Sequence, residues 1–264
     1  AMGGGEAVWL AQGEAAEFPL DAAPANLEEL RGAVADQADL NLVPVEGRRK
    51  KMLLADMDST MIQQECIDEL AEEAGVGDHV RDITARAMNG ELDFEGALTE
   101  RVALLRDLPE TVIAKVLEDR ISLMPGGRAL VATMKAQGAY TVLVSGGFTA
   151  FTARVAELVG FDENRANTLL IDGGRLTGEV ARPILGRAAK VQALEEITAR
   201  LGITEADAIA VGDGANDLGM LGRAGLGVAL HAKPSVQAEC DLRVNHGDLT
   251  ALLYLQGYAK GEFA

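Results

Sequence analysis

Met52-Leu53-Leu54-Ala55 is an unbroken apolar run, preceded by Lys50-Lys51 and ended by Asp56. Four apolar residues bounded by charge predict a short strand buried on both faces, as in a parallel sheet. A second carboxylate, Asp58, follows two residues on. From Glu65 to Arg120 the period becomes helical. Ile67, Leu70, Ala71 and Ala74 mark one apolar face, ended by Gly75; Val80, Ile83, Ala87 and Met88 mark a second, ended by Asn89-Gly90. Phe94, Leu98, Val102 and Leu105 mark a third. Val112, Ile113, Val116 and Leu117 follow Pro109, predicting a fourth helix with proline in its first turn. Helices in series after a single strand predict a cap inserted over a sheet.

After Met124-Pro125-Gly126 strand and helix alternate. Residues 126–137 predict a helix, Tyr140–Val144 a strand stopping at Ser145-Gly146-Gly147, and Phe148–Val159 a helix ended by Gly160. Leu169 to Thr177 predicts a hairpin around Gly173-Gly174. Ala188–Leu201 is a further helix, Ala208–Val211 a strand stopping at Gly212-Asp213, Leu226–Leu230 a short strand, and Leu249–Leu255 a terminal helix. This order predicts an α/β fold: a doubly wound parallel sheet with right-handed crossovers and an inserted helical cap. Such sheets bind ligands beyond the carboxyl ends of their strands. Three predicted strands end there in polar groups: Asp56-Met57-Asp58, Ser145-Gly146-Gly147 and Gly212-Asp213-Gly214-Ala215-Asn216-Asp217.

The first 49 residues stand apart. Ala7–Leu10 predicts a strand, Asn26–Gln37 a helix capped by Asn26, and Leu40–Val45 alternates like a half-buried strand. A unit this small cannot bury a sufficient core alone. It must dock on the rest, pair with a partner chain, or be the remnant of a larger module. The expected division is 1–49 as this opening segment, 50–62 with 122–264 as the core, and 63–121 as the cap.

Composition narrows the classes. Hydrophobic residues make up 48% of the 264 and aromatic residues only 4%, so the core is built from Ala, Val, Leu and Ile. A net charge of −17 repels phosphate backbones and argues against nucleic acid as a partner. It also means that an anionic substrate needs a local cation. Cys66 and Cys240 form no cluster and are expected to be free thiols of a reducing compartment. Apolar runs fall far short of the ~20 residues a membrane helix needs, and Ala1-Met2-Gly3-Gly4-Gly5 lacks the pattern of a secretory signal. A cytoplasmic location without membrane association is expected. A homodimer is compatible with the sequence.

Carboxylates gathered at one point repel each other unless a cation is present. Asp56, Asp213 and Asp217 make an oxygen-only donor set, which suits Mg²⁺. Ser145, backed by Gly146 and Gly147, offers a hydroxyl and backbone N–H groups to an anion. Lys190, opening the helix before the Asp213 strand, can neutralise a phosphoryl group. Each has a plainer reading: Asp56, Asp58 and Ser145 as helix caps, and Lys190 as a solvated charge.

The ordered motifs add a resemblance. Asp56-Met57-Asp58-Ser59-Thr60, Ser145-Gly146-Gly147, Lys190 and Gly212-Asp213-Gly214-Ala215-Asn216-Asp217 resemble the haloacid dehalogenase superfamily. With Glu65, Met88-Asn89-Gly90, Phe94 and Arg101 added, residues 50–245 resemble its phosphoserine phosphatase branch. Residues 6–49 are similar to the tail of the ACT-like regulatory module that precedes some of these enzymes. The resemblance implies a Mg²⁺-dependent enzyme that releases L-serine and phosphate from O-phospho-L-serine, the last step of serine biosynthesis. Asp56 would be the nucleophile, Asp58 the acid–base, and Asp56, Asp58, Asp213 and Asp217 the metal site. Ser145, Gly146 and Lys190 would hold the phosphoryl group, and Asn216 would position substrate. Glu65 would take the ammonium and Arg101 the carboxylate, with Met88 and Phe94 closing over the site. Cys66 is expected to be a packing residue. The alternatives are a related phosphatase or phosphotransferase acting on another small ester such as phosphohomoserine, and a phospho-aspartyl receiver.

Overall fold

A computed structural model describes residues 5–88 and 91–264. In chain order the elements are β1 (Val8–Ala11), β2 (Ala15–Glu17), α1 (Leu27–Val34), β3 (Met52–Ala55), α2 (Cys66–Glu73), α3 (Gly77–Met88), α4 (Phe94–Ala103) and α5 (Thr111–Asp119). Next come α6 (Gly127–Ala136), β4 (Tyr140–Phe148), α7 (Thr149–Val159), β5 (Glu163–Asn167), β6 (Leu169–Asp172), β7 (Arg175–Val180) and α8 (Arg187–Leu201). The chain closes with β8 (Ala208–Gly212), α9 (Leu218–Arg223), β9 (Leu226–Leu230), α10 (Pro234–Gln237), β10 (Leu242–Val244) and α11 (Ala251–Leu255).

The fold is α/β, around a six-stranded sheet of order β10-β9-β8-β3-β4-β5. The pairs β10–β9, β9–β8 and β4–β5 run parallel. The predicted strands β3, β4, β8 and β9 all lie in this sheet. Continuous apolar runs explain why: every residue of β3 and of β8 is buried, so neither strand has a solvent face to alternate toward.

The chain divides into two compact units. One holds the residues up to Leu54, Pro125–Thr141 and Leu194–Ala264; the other holds Ala55–Met124 and Val142–Ala193. In the first, the opening segment docks through polar contacts. Arg243 pairs with Glu28 at 3.1 Å, the Tyr254 hydroxyl donates to Glu14 at 2.9 Å, and Lys260 pairs with Glu14. In the second, α2 packs on α3 and α5, and α3 on α4. Their buried residues include Ile67, Leu70, Val80, Leu98, Val102 and Val116, the faces the periodicity predicts.

Four expectations are corrected. Leu40–Val45 is not a strand. Asn41 instead pairs with Arg243 of β10 through its side-chain amide, donating to the carbonyl at 2.8 Å and accepting from the N–H at 2.9 Å. Asp39 accepts from the N–H groups of Asn245 and His246. Side chains, not a backbone ladder, occupy that edge. Asn26 stands at the N-cap of α1 without a capping hydrogen bond, its amide turned to Glu29. Pro109 precedes the N-cap Glu110 of α5 and bridges to Arg175 instead of entering the first turn. Finally, β4 runs on through Ser145-Gly146-Gly147 to Phe148, so those residues are an irregular strand end and not a turn.

Among the described residues no helix is long and apolar enough to cross a membrane.

Candidate active site

The segment after β3 folds back on one carbonyl. Met57 O accepts from the N–H groups of Thr60, Met61 and Ile62, at 3.2, 2.8 and 3.0 Å. The turn holds Ser59 at φ 54, a left-handed conformation that is uncommon outside glycine. From it the Ser59 hydroxyl donates to Glu65 Oε1 at 2.7 Å. No sequence signal marks Ser59 within its motif, because its left-handed backbone arises only on folding.

Asp56 is buried, and its Oδ1 accepts from the Met57 N–H at 2.8 Å and from Lys190 Nζ at 2.6 Å. Lys190 is 2% exposed, which sets aside its reading as a solvated charge. A buried lysine beside a buried carboxylate gives an ion pair in a low-dielectric setting, where each charge depends on the other.

Asp58 is half-buried, and both its oxygens are held. Oδ1 accepts from the Cys66 N–H at 2.9 Å and Oδ2 from the Ser145 hydroxyl at 3.2 Å. Burial pushes the Asp58 carboxyl above the ordinary range; the Cys66 and Ser145 hydrogen bonds and the charge of Lys190 work against that rise. The Cys66 thiol is pushed well up by burial and by the neighbouring Asp58, so it stays protonated and packs, as expected. Ser145 Oγ also accepts from the Gly147 N–H at 2.8 Å. Glycine is needed there: a Cβ at Gly147 would stand 2.8 Å from Asp58 Oδ2 and 3.1 Å from Ser145 Oγ.

Asp213 and Asp217 follow β8, and each offers a carboxylate oxygen. Asp217 is fully buried and accepts from the Gly214 N–H at 3.0 Å. A Cβ at Gly212 would lie 2.4 Å from the Asp217 carboxyl, so the glycine closing β8 is a space requirement. Carboxylate oxygens such as these and those of Asp56 are a donor set that suits a hard cation. Asn216 turns its side chain toward Gly214.

Glu65 is exposed and Arg101 half-buried. Burial lowers the Arg101 pKa, and Asp68, Glu65 and Asp58 oppose that shift. Its Nε donates to Ala97 O within its own helix at 3.2 Å. Phe94 opens α4, where Asp93 caps the helix by accepting from the Gly96 N–H at 2.7 Å. Its ring lies against Gly146, where a Cβ would come within 3.0 Å of Cζ. Asn89, Gly90 and the side chain of Met88 lie outside the described residues.

Residues 53–222 match the family model of the haloacid dehalogenase-like hydrolases. A phosphoserine phosphatase of Streptomyces coelicolor is 44% identical over 242 residues, which cover 89% of this chain and 59% of that protein. The chain thus spans less than two thirds of that curated relative. An HAD family hydrolase of Salmonella enterica has a similar structure, with TM-score 0.86 and 34% identity over 95% of this chain and 88% of its own. A phospho-aspartyl intermediate analogue of a phosphoserine phosphatase superposes with TM-score 0.72 and 41% identity over 78% of this chain and 98% of its own. The motif order, the parallel sheet and these matches agree: the chain belongs to the haloacid dehalogenase-like hydrolase family.

Proposed function

We propose that this chain is a phosphatase that hydrolyses O-phospho-L-serine to L-serine and phosphate, with Asp56 carrying the phosphoryl group between two steps. The observation that carries the reading is the pairing of Asp56 with Asp58. One carboxylate is buried on Lys190 at 2.6 Å, and the other is held at both oxygens with its pKa raised by burial. A nucleophile and a proton carrier two residues apart are what a double displacement at phosphorus requires. The relatives named phosphoserine phosphatase support the choice of ester.

In the first step an Asp56 carboxylate oxygen attacks phosphorus and the bond from phosphorus to the serine oxygen breaks. The Asp58 carboxyl gives its proton to the departing oxygen. In the second step water attacks the aspartyl-phosphate. Asp58, now ionised, takes the proton of that water, and the phosphate leaves Asp56 regenerated. A pKa raised by burial favours the protonated form that the first transfer needs. Lys190 sets positive charge beside the reacting carboxylate, and the Ser145 hydroxyl and Gly146 N–H face the phosphoryl oxygens.

Asp56, Asp213, Asp217 and the Asp58 backbone carbonyl would hold Mg²⁺, which supplies the charge neutralisation that lets a carboxylate meet a phosphate. Arg101 binds the serine carboxylate, and Glu65, oriented by Ser59, binds the ammonium. Phe94 and Met88 close over the substrate, and Asn216 positions it. On this reading residues 63–121 are a cap, 50–62 with 122–264 the catalytic core, and the enzyme works in the cytoplasm.

Phosphate release from phosphoserine, phosphothreonine, phosphohomoserine and an aryl phosphate, each with Mg²⁺ and with chelator, tests the proposal. Phosphoserine should be preferred and turnover should require Mg²⁺. A better rate on another ester would overturn the assignment of Glu65 and Arg101.

A further inference from the structure

Asn167 closes β5 and is 2% exposed, yet no role above falls to it. Its Nδ2 donates to Gly146 O at 2.8 Å and to Leu185 O at 3.2 Å, and its Oδ1 accepts from the Leu185 N–H at 2.7 Å. One buried amide therefore joins the irregular end of β4 to the segment before α8.

The register explains why a side chain is needed there. Val144 pairs with Arg165 and Phe148 with Asn167, so three residues of β4 stand opposite one of β5. The ladder is interrupted at Ser145-Gly146-Gly147, and the Asn167 amide meets the Gly146 carbonyl in its place. Both peptides it ties border the Phe94 ring. A Cβ at Gly146 would lie 3.0 Å from Phe94 Cζ, and one at Gly186, next to Leu185, 3.2 Å from Cδ1. Two side-chain-less positions thus form a slot that the Phe94 ring fills, and Asn167 holds both walls.

We propose that Asn167 is a positioning residue that sets the width of this glycine slot and, through it, the seat of Phe94 over the substrate. The inference rests on the reading of Phe94 as a closing residue. Asn167 touches neither substrate nor reacting atoms. Losing its hydrogen bonds lets the Gly146 and Leu185 peptides part, so that the ring has no fixed seat.

The test uses the full chain labelled with 4-fluorophenylalanine, the Phe94 ¹⁹F resonance being assigned with Phe94→Leu. In the native chain that resonance should be shifted from the random-coil position. In Asn167→Ala it should move toward random coil while the urea midpoint shows that the protein is folded. Asn167→Asp is the second variant should alanine not fold. It keeps the acceptor for Leu185 and loses the donor to Gly146, and should move the resonance the same way. Catalytic efficiency on the best ester of the panel should fall about tenfold in Asn167→Ala, but by less than threefold when Phe94 is already alanine. An unmoved Phe94 resonance in a folded variant would overturn the proposal, as would an undiminished loss in the Phe94→Ala background. Failure of the native enzyme to turn over phosphoserine would instead count against the substrate reading, leaving the ¹⁹F result to decide the slot.

Discussion

Lys190 Nζ lies 2.6 Å from Asp56 Oδ1, with both side chains buried. Removing one partner of such a pair leaves the other charge uncompensated, at a cost of about 3–5 kcal/mol. In urea unfolding without divalent cations, Lys190→Met should lower stability by about 3 kcal/mol. The double variant Asp56→Asn/Lys190→Met should regain most of it. Both variants should lose turnover. Additive destabilisation would mean that the two groups do not depend on each other.

Ser59 ties backbone strain to Glu65, the proposed ammonium ligand. Its backbone is at φ 54 and its hydroxyl holds Glu65 at 2.7 Å. Ser59→Ala keeps the strain and loses the bond, so KM for phosphoserine should rise about tenfold, the equivalent of one charge-assisted hydrogen bond. An aryl phosphate, having no ammonium, should be little affected. Ser59→Gly should share the KM defect and unfold at a higher temperature than Ser59→Ala, because glycine adopts positive φ readily. Steady-state kinetics on the two esters, with thermal melts, read both effects.

At Gly147 there is no room for a methyl group between Asp58 and Ser145. Gly147→Ala should therefore displace the Asp58 carboxyl and lower kcat about a hundredfold, within the range that general acid–base catalysis contributes. Phosphoserine affinity, which the proposed function assigns to Glu65 and Arg101, should change far less. A KM-dominated loss would show that Gly147 shapes the substrate pocket and not the proton carrier.

Away from the site, Asp207 accepts from the Thr204 N–H and hydroxyl, both at 3.0 Å, and pairs with Lys51 at 2.9 Å. The Thr204 backbone bond first, then Lys51, lower its pKa to about 2. A carboxyl lowered on folding adds stability above its unfolded pKa and loses it as pH falls through the folded value. Asp207→Asn should thus destabilise the protein at pH 7, and the difference from native should shrink between pH 4 and pH 2. Urea midpoints of the two proteins at pH 7, 4 and 3 check this. A difference independent of pH would place the effect in the turn geometry alone.

The strands and helices with a strong apolar signature were legible in the sequence. Met52–Ala55 and Ala208–Val211 carry it without interruption, and the faces of α2 to α5 repeat it at helical spacing. What was not legible lacked that signature. β5 reads Glu-Asn-Arg-Ala-Asn, and its polar side chains find local partners: Arg165 with Glu163 at 2.7 Å, and Asn164 with the Thr152 hydroxyl at 2.9 Å. β10 has only three residues, and its edge is met by side chains some two hundred positions earlier in the chain. Likewise Ser59 and Asn167 act through geometry created only by folding, a left-handed turn and an interrupted ladder. The motif carboxylates were read as a group from their spacing after strands. That Asp56 is seated on Lys190 needed coordinates.

Borohydride trapping tests the phosphoryl transfer most directly. Enzyme mixed with phosphoserine and Mg²⁺, then quenched with borohydride, should yield homoserine at position 56 by peptide mass spectrometry, and none when phosphoserine is omitted. Sustained phosphoserine hydrolysis with position 56 unmodified, or with the reduced residue elsewhere, would contradict the account.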